Sequence, residues 1–146
     1  MSEWIIPDEE DPLRYRAFVY RITLPDGRYY LGKKNLYRVK EGKIVAESDW
    51  RTYWGSSKEV KARVKAAGRE NCRREIIRLC ESTGKASWVE TVELIERRAM
   101  LDDKCLNGNV GERFQRKVVQ GWHDDGRCER YMRDTAKQRQ AAGLLE

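Results

Sequence analysis

Two short runs rich in aromatic residues, separated by a turn sequence, constrain the fold more than any other part of this chain. In residues 18–24 apolar side chains alternate with other residues, which is the periodicity of a strand with one buried face. Pro25-Asp26-Gly27 follows, and a proline with a fixed φ beside a permissive glycine is typical of a tight reversal. The sequence therefore predicts a β-hairpin that places Tyr20 and Tyr30 on adjacent strands, next to Gly32-Lys33-Lys34.

The charge distribution favours a polyanionic partner. The 146 residues include 30 basic and 24 acidic side chains, which gives a net charge of +6. Residues 1–12 hold five acids and no base, whereas residues 13–110 hold 22 bases against 13 acids. The positive excess therefore lies on the segment with the tyrosine hairpin and suits a nucleic acid. Lysines and arginines that merely solvate a small α/β surface produce the same composition, so charge alone does not decide.

Length and cysteine usage narrow the class further. A chain of 146 residues is large enough for one domain with a modest core. We expect no membrane span and no secretory signal, because the uninterrupted apolar runs are only a few residues long. The four cysteines form no Cys-x-x-Cys pair, so reduced thiols in a cytoplasm are the natural inference. A zinc site from Cys105, His123 and Cys128 would need a fourth ligand from elsewhere, and incidental buried cysteines are favoured.

Capping patterns predict a first helix after the hairpin. Ser56 with Glu59 fits a capping box and opens a helix that ends before Gly68. The inward face of this helix carries Val60 and Val64. The next apolar segment, residues 72–80, fits either a helix or a strand, and periodicity alone favours a helix.

A second helix is predicted over residues 88–101. Its inward stripe consists of Val92, Ile95 and Ala99. Ser87 and Glu90 fit another capping box at its start, and a glutamate at the third helical position commonly serves only to cap the helix.

The order of several motifs resembles the GIY-YIG nuclease superfamily. The two tyrosine motifs correspond to Phe18-Val19-Tyr20 and Tyr30-Leu31-Gly32, the first of them degenerate because Phe18 stands where the superfamily usually has glycine. The further matching segments are residues 47–57, 74–80, 88–91 and 106–109. Together they resemble the branch of phage-encoded, Seg-type homing endonucleases, over residues 15–111.

The resemblance implies an α+β fold, a small three-stranded antiparallel sheet flanked by helices, in which residues 72–80 form the third strand. It divides the chain into an acidic N-terminal lead-in (1–12), a nuclease domain (13–111) and a helical, partly basic C-terminal extension (112–146). We expect the extension to be either an arm that contacts DNA or a packing extension of the fold.

The resemblance also implies a metal-dependent endonuclease that hydrolyses the phosphodiester bonds of double-stranded DNA, with Mg²⁺ or Mn²⁺ and without a small-molecule cofactor. Glu90 is the expected metal ligand, since a hard cation needs only one protein carboxylate when phosphate and water complete its coordination. Glu93 and Glu96 are rivals, because they share much of the same helical face. The sequence leaves open whether Glu90 binds a metal or only caps the helix.

The tyrosines have separate expected roles. Tyr20 is the expected general base, with its pKa lowered by neighbouring cations, for which Lys33, Lys34 and the metal ion are available. Tyr30 is expected to orient the attacking water or the phosphate. The motif glycine Gly32 and the asparagine Asn107 are expected to be structural, although an ordinary Asn-Gly turn explains Asn107 equally well.

The catalytic cation is ambiguous, because Lys34, Arg38 and Arg51 all follow the second tyrosine motif. Arg51 is preferred, since its guanidinium offers a bidentate fork to phosphate, although Asp49 is placed to neutralise it. Phosphate contacts are expected from Lys33, Arg38, Lys58 and Arg63. The competing class is a catalytically inactive DNA-binding module that keeps the nuclease fold, which the degenerate Phe18 motif favours.

Overall fold

The computed structural model describes residues 3–111, 114–119 and 135–144. Its strands are β1 (Trp4–Ile5), β2 (Ala17–Thr23), β3 (Tyr29–Asn35), β4 (Tyr37–Lys40), β5 (Lys43–Glu47), β6 (Arg73–Cys80), β7 (Asn109–Val110) and β8 (Phe114–Gln115). Its helices are α1 (Lys58–Ala67), α2 (Thr83–Glu96) and α3 (Arg116–Val119), and residues 135–141 are also helical. The fold is α+β, as the resemblance implies.

The tyrosine hairpin forms the centre of the main sheet. Strands β2 and β3 pair antiparallel with Tyr20 opposite Gly32. At the turn Gly27 has a φ of 89°, and its amide donates to the Leu24 carbonyl. Residues 73–80 form a strand, which pairs antiparallel with β2. The family resemblance therefore predicts this element correctly, whereas the helical periodicity is misleading.

A fourth strand joins the three that were expected. The strand order is β1-β6-β2-β3, and β1 runs parallel to β6, so the sheet is mixed. Trp4 of β1 packs edge-to-face on Phe18 and Tyr20, at ring-centroid distances of 5.1 and 5.6 Å. Its indole N–H donates to the Trp50 carbonyl at 2.8 Å. This part of the acidic lead-in thus packs into the core beneath the tyrosine motif.

The two faces of the sheet pack against different helices. Alternation along β2 directs Phe18 and Tyr20 toward the face that α1 covers with Val60 and Val64. On the opposite face, α2 packs against β2 and β3, and its Leu94 joins a cluster with Leu31 of β3. Strand β3 is at the edge of the sheet, so side chains from both faces can meet there.

Helix α1 follows its prediction with a shift of one residue at its start. Ser57, rather than Ser56, caps the helix by accepting a hydrogen bond from the Val60 amide at 3.2 Å. The predicted inward residues Val60 and Val64 are buried. The helix ends at Gly68, whose φ of 90° favours glycine.

Helix α2 differs from its prediction in a way that matters for the site. It begins at Thr83, after Ser82, which accepts a hydrogen bond from the Lys85 amide. The capping box expected at Ser87 and Glu90 is therefore wrong, because Glu90 lies within the helix. The expected inward stripe is wrong at Ile95, which is 57% exposed, whereas Val92 is half-buried and Ala99 is buried just beyond the end of the helix.

Part of the C-terminal extension packs against the domain. The Arg116 guanidinium donates hydrogen bonds to the carbonyls of Met100, Asp102, Cys105 and Asn107. His123 and Cys128, which the zinc alternative requires, lie outside the described residues. Within residues 3–111, 114–119 and 135–144, no group of three metal-ligating side chains is found. No helix in those ranges is long and apolar enough to cross a membrane.

Candidate active site

Three tyrosines gather where β2 and β3 meet the segment before α1. The Tyr20 ring is buried, with its centroid 6.3 Å from that of Tyr30 and 5.8 Å from that of Tyr53. Sequence reasoning assigned no role to Tyr53, although one signal was present. Tyr53-Trp54-Gly55 repeats the spacing of Tyr30-Leu31-Gly32, and the structure brings the two segments together around Tyr20.

The environment of Tyr20 opposes its ionisation. Burial raises the pKa of the Tyr20 hydroxyl, and the neighbouring Tyr53 and Tyr30 raise it further. Lys33 and Lys34 by themselves therefore do not lower this pKa, contrary to that part of the expectation. The raised pKa leaves the Tyr20 hydroxyl protonated at neutral pH.

Lys33 and Lys34 have different partners because successive residues of a strand point to opposite faces of the sheet. Lys33 is directed toward α2, where its ammonium donates to the Ser87 hydroxyl. Lys34 is on the other face, with its Nζ 2.6 Å from an Asp49 carboxylate oxygen and 4.2 Å from the centroid of the Tyr53 ring. Lys34 therefore contacts the tyrosine cluster, and Lys33 lies on the side of Glu90.

Two glycines make room for the Tyr20 hydroxyl. A Cβ atom added to Gly32 would lie 2.4 Å from the Tyr20 Oη, and one added to Gly55 would lie 3.3 Å from it. Gly55 also has a φ of 93°, which a side chain would strain. The close approach of the Tyr20 hydroxyl thus explains why both positions of the repeated Tyr-x-Gly pattern are glycine. The sequence-based prediction does not include Gly55.

Gly32→Ala should destabilise the protein by about 1–3 kcal/mol, because the added methyl group overpacks the site and must displace the Tyr20 ring. Chemical denaturation measures this change. Gly84→Ala is the matched control: a Cβ there meets nothing within 4 Å, in the first turn of α2. The control should be neutral or stabilising by up to about 1 kcal/mol. Equal stability of the two variants would contradict the close approach.

Glu90 lies on α2 near both catalytic tyrosine candidates. Burial raises the pKa of its carboxyl, and the charge of Lys33 opposes this rise. The negative charge of Glu90 in turn raises the pKa of Tyr20 and of Tyr30. Across the parts of the chain that the structure describes, its carboxylate has no hydrogen bond and no ion pair. A half-buried carboxylate without such a partner is costly, which is typical of a group kept for binding.

The rival glutamates have different surroundings. Glu93 forms an ion pair with Arg97 one helical turn away. Glu96 is exposed at the last position of α2. Neither affects the pKa of the tyrosines as Glu90 does. Geometry therefore favours Glu90 among the three.

Tyr30 lies between Ser56 and the Glu90 side of the cluster. Burial raises the pKa of its hydroxyl, while a hydrogen bond with Ser56 lowers it and the charge of Glu90 raises it. Tyr30 is only partly buried, in contrast to Tyr20. Its hydroxyl is thus the more accessible of the two to an incoming ligand.

Asn107 ties the chain after α2 to β3 by two hydrogen bonds. Its side-chain oxygen accepts from the Leu31 amide at 2.9 Å, and its Nδ2 donates to the Leu31 carbonyl at 2.7 Å. Both bonds are buried, so each stabilises β3 at its free edge, between Tyr30 and Gly32. An ordinary Asn-Gly turn therefore does not account for Asn107, whose side chain holds β3 in place.

The structure does not bring Arg51 together with the tyrosines. Its guanidinium pairs with Glu47 at 2.9 Å and stacks on the Trp50 ring at 4.6 Å. It lines a separate pocket of about 410 Å³ with Trp4, Trp54 and other residues, none of which is a tyrosine. The preference for Arg51 over Lys34 as the cation nearest the site is not supported by this arrangement.

The other expected phosphate ligands lie on β4 and on α1. Arg38 is exposed on β4, and Lys58 is the exposed first residue of α1. Arg63 lies in the second turn of α1 and pairs with Glu59 at 2.9 Å. Helix α1 begins directly after Ser56 and Ser57, so its positive N-terminal end is next to Tyr30.

Comparison with known proteins identifies one family. The family model described as "Putative endonuclease segE, GIY-YIG domain" matches residues 4–110. None of the curated proteins and none of the solved structures matches the chain. The matched range includes β1 and ends just after Asn107, so it covers the sheet and every residue of the tyrosine and Glu90 cluster.

Proposed function

The chain belongs to the Seg-type branch of the GIY-YIG superfamily of DNA endonucleases, and we propose that it hydrolyses double-stranded DNA with one divalent cation held at Glu90. A single observation carries this proposal. A partly buried, unpaired carboxylate lies beside two tyrosines on a strongly basic domain. No structural need for Glu90 competes with this role, since it does not cap α2.

The residues of the site fit a hard cation such as Mg²⁺ or Mn²⁺. One carboxylate is sufficient, because Mg²⁺ retains waters and takes its remaining ligands from substrate phosphate. When bound, the ion stabilises negative charge on the leaving oxygen and on a non-bridging phosphate oxygen. Lys33 helps to keep the Glu90 carboxyl in its ionised, metal-binding form, since its charge opposes the effect of burial on the pKa.

Tyr20 and Tyr30 would handle the attacking water. Tyr20 Oη is the proposed proton acceptor, and Tyr30, the more exposed hydroxyl, would orient the water or the phosphate. Because burial raises the pKa of Tyr20, its deprotonated form is scarce at neutral pH. Cleavage that depends on this form therefore accelerates as the pH rises.

Lys34 is the proposed catalytic cation. It is the basic residue of β3 that contacts the tyrosine cluster, through the face of the Tyr53 ring. Its carboxylate partner Asp49 is exposed, so this ion pair contributes little and an incoming phosphate can replace it. Arg51, which lines the separate pocket with Trp4 and Trp54, is not assigned this role.

DNA would be held mainly through its phosphates. Lys33, Lys58 and Arg63 are the proposed phosphate contacts, which position a duplex without reading its sequence, and Arg38 is a further proposed contact to DNA. The Seg-type affiliation supports a homing-type role for a phage or mobile element, acting in the cytoplasm of the host cell.

A plasmid assay tests the proposal directly. Supercoiled DNA incubated with the purified protein and Mg²⁺ should be nicked or linearised, and EDTA should stop the reaction completely. One alternative has a specific observation in its favour: the burial of Tyr20 suits a DNA-binding module that has lost catalysis. Binding to the plasmid without cleavage in either Mg²⁺ or Mn²⁺ would establish that alternative and refute the nuclease proposal.

A further inference from the structure

The β4–β5 hairpin is an exposed ribbon between the catalytic strand and α1. It forms a two-stranded sheet of its own, separate from the main sheet. Its apolar residues are largely exposed: Val39 by 53%, Ile44 by 44% and Val45 by 59%. A short ribbon of this kind has little of the core that normally stabilises a hairpin, which indicates that it is retained for contact with a partner.

The base of the ribbon is held firmly. The Ser48 amide donates to the Leu36 carbonyl at 2.9 Å, and the Ser48 hydroxyl donates to the Asn35 carbonyl at 2.6 Å. Tyr37 donates its hydroxyl proton to the Leu13 carbonyl. The ribbon therefore leaves the end of β3 in a defined direction, although its far end is exposed.

The pairing of the two strands separates basic from apolar side chains. Lys40 lies opposite Lys43, and Arg38 lies opposite Ala46. Residues directly opposite each other share a face, and alternate residues along a strand share it too. Arg38 and Lys40 are alternate residues of β4, and Lys43 lies opposite Lys40, so these three share one face, while the Val39 and Ile44 pair lies on the other; the register of the two strands shifts between Arg38 and Val39.

Two features indicate that the basic face binds an anion. Lys40 and Lys43 are directly opposite each other, and like charges in such a pair destabilise a ribbon until a counter-charge arrives. The basic face also continues into the site. The pKa of Asp49 is lowered first by the hydrogen bond from Lys34 and further by the charge of Arg38, so Arg38 is close to this pair.

We propose that the β4–β5 hairpin enters the major groove of duplex DNA beside the scissile phosphate and reads base edges with Arg38, Lys40 and Lys43. The major groove, about 12 Å wide and 8.5 Å deep, admits a two-stranded ribbon. Four residues of β4 extend about 10 Å, enough to reach the groove floor. Arginine and lysine pair with the O6 and N7 atoms of guanine, so the predicted preference is for guanine. This inference rests on the proposed function.

Selection from randomised duplexes tests the inference without cleavage. The Glu90→Gln protein, in full length and without divalent metal, should enrich duplexes with guanine at a few adjacent positions. The triple variant Arg38→Ala/Lys40→Ala/Lys43→Ala should lose this enrichment by about tenfold or more at the preferred positions. Lys65→Ala/Arg78→Ala/Lys104→Ala is the charge-matched control, since it also removes one arginine and two lysines. All three side chains are exposed and lie outside the hairpin. It should weaken binding but keep the base preference.

A conservative variant separates loss of base reading from misfolding of the ribbon. Arg38→Lys keeps the charge and should leave the salt dependence of binding unchanged, while it weakens the guanine preference at one position. The inference is overturned if the parent shows no base preference, or if the hairpin triple variant retains it. Failure of the nuclease proposal can be told apart from failure of this inference. It appears as an absence of Mg²⁺-dependent plasmid cleavage, whatever the selection of duplexes shows.

Discussion

Glu90→Gln should reduce DNA cleavage by about 10³-fold or more while it leaves DNA affinity nearly unchanged. The substitution removes the proposed metal ligand, and a bound metal ion supplies several kcal/mol of transition-state stabilisation, with each 1.36 kcal/mol equal to a tenfold change in rate. Plasmid cleavage at saturating Mg²⁺ measures the rate, and a fluorescence titration with duplex DNA measures the affinity. Cleavage at the parental rate would mean that the metal assignment is wrong.

Two other glutamates of α2 are matched controls for this variant. Glu93→Gln breaks the ion pair with Arg97, and Glu96→Gln changes an exposed residue, so each should reduce cleavage by less than about threefold. Thermal unfolding provides a second readout. Because burial raises the pKa of Glu90, its ionised form disfavours the folded state at neutral pH, and Glu90→Gln should melt at the same temperature as the parent or higher.

The raised pKa of Glu90 should also limit cleavage at acid pH. Metal binding needs the ionised carboxylate, and the pKa of Glu90 lies above its ordinary value. Cleavage should therefore be lost as the pH falls through this raised pKa, and additional Mg²⁺ should partly restore it. A purely structural glutamate would show no such exchange between proton and metal.

Tyr20→Phe should reduce cleavage by about 10²-fold or more, the effect expected when a positioned proton acceptor is lost. The parent rate should rise with pH across the neutral and alkaline range, because the pKa of Tyr20 is raised and its deprotonated fraction grows throughout. The variant should lose this slope. Since only the hydroxyl is removed, we expect a stability loss of about 1 kcal/mol.

Tyr53→Phe is the matched control for Tyr20→Phe. It removes the hydrogen-bond partner of Tyr20 but keeps the Tyr20 hydroxyl, so cleavage should fall by less than about tenfold with the pH slope retained. Near-parental activity of Tyr20→Phe would show instead that this ring only packs between Trp4 and Tyr53 in the core.

Local chemistry was sufficient to predict the elements whose signals lie within a few residues. The Pro25-Asp26-Gly27 turn predicts the hairpin because it needs no distant partner. The spacing of Val60 and Val64 predicts the inward face of α1 for the same reason. Helix boundaries were less secure, since Ser56, Ser57, Ser82 and Ser87 are equally good caps by residue type, and only the packed chain selects among them.

The sequence by itself determined the tyrosine hairpin, the family and the positive charge of the domain, because these depend on residue order and composition. Periodicity did not determine that residues 73–80 are a strand, which only the resemblance predicted, because their tertiary pairing with β2 outweighs a helical pattern. Tertiary structure also decided the state of Tyr20: Trp4, which is distant in sequence, packs on the Tyr20 ring, and burial reverses the effect expected from the nearby lysines. A pKa depends on burial and on distances in space, which neighbours in sequence do not determine.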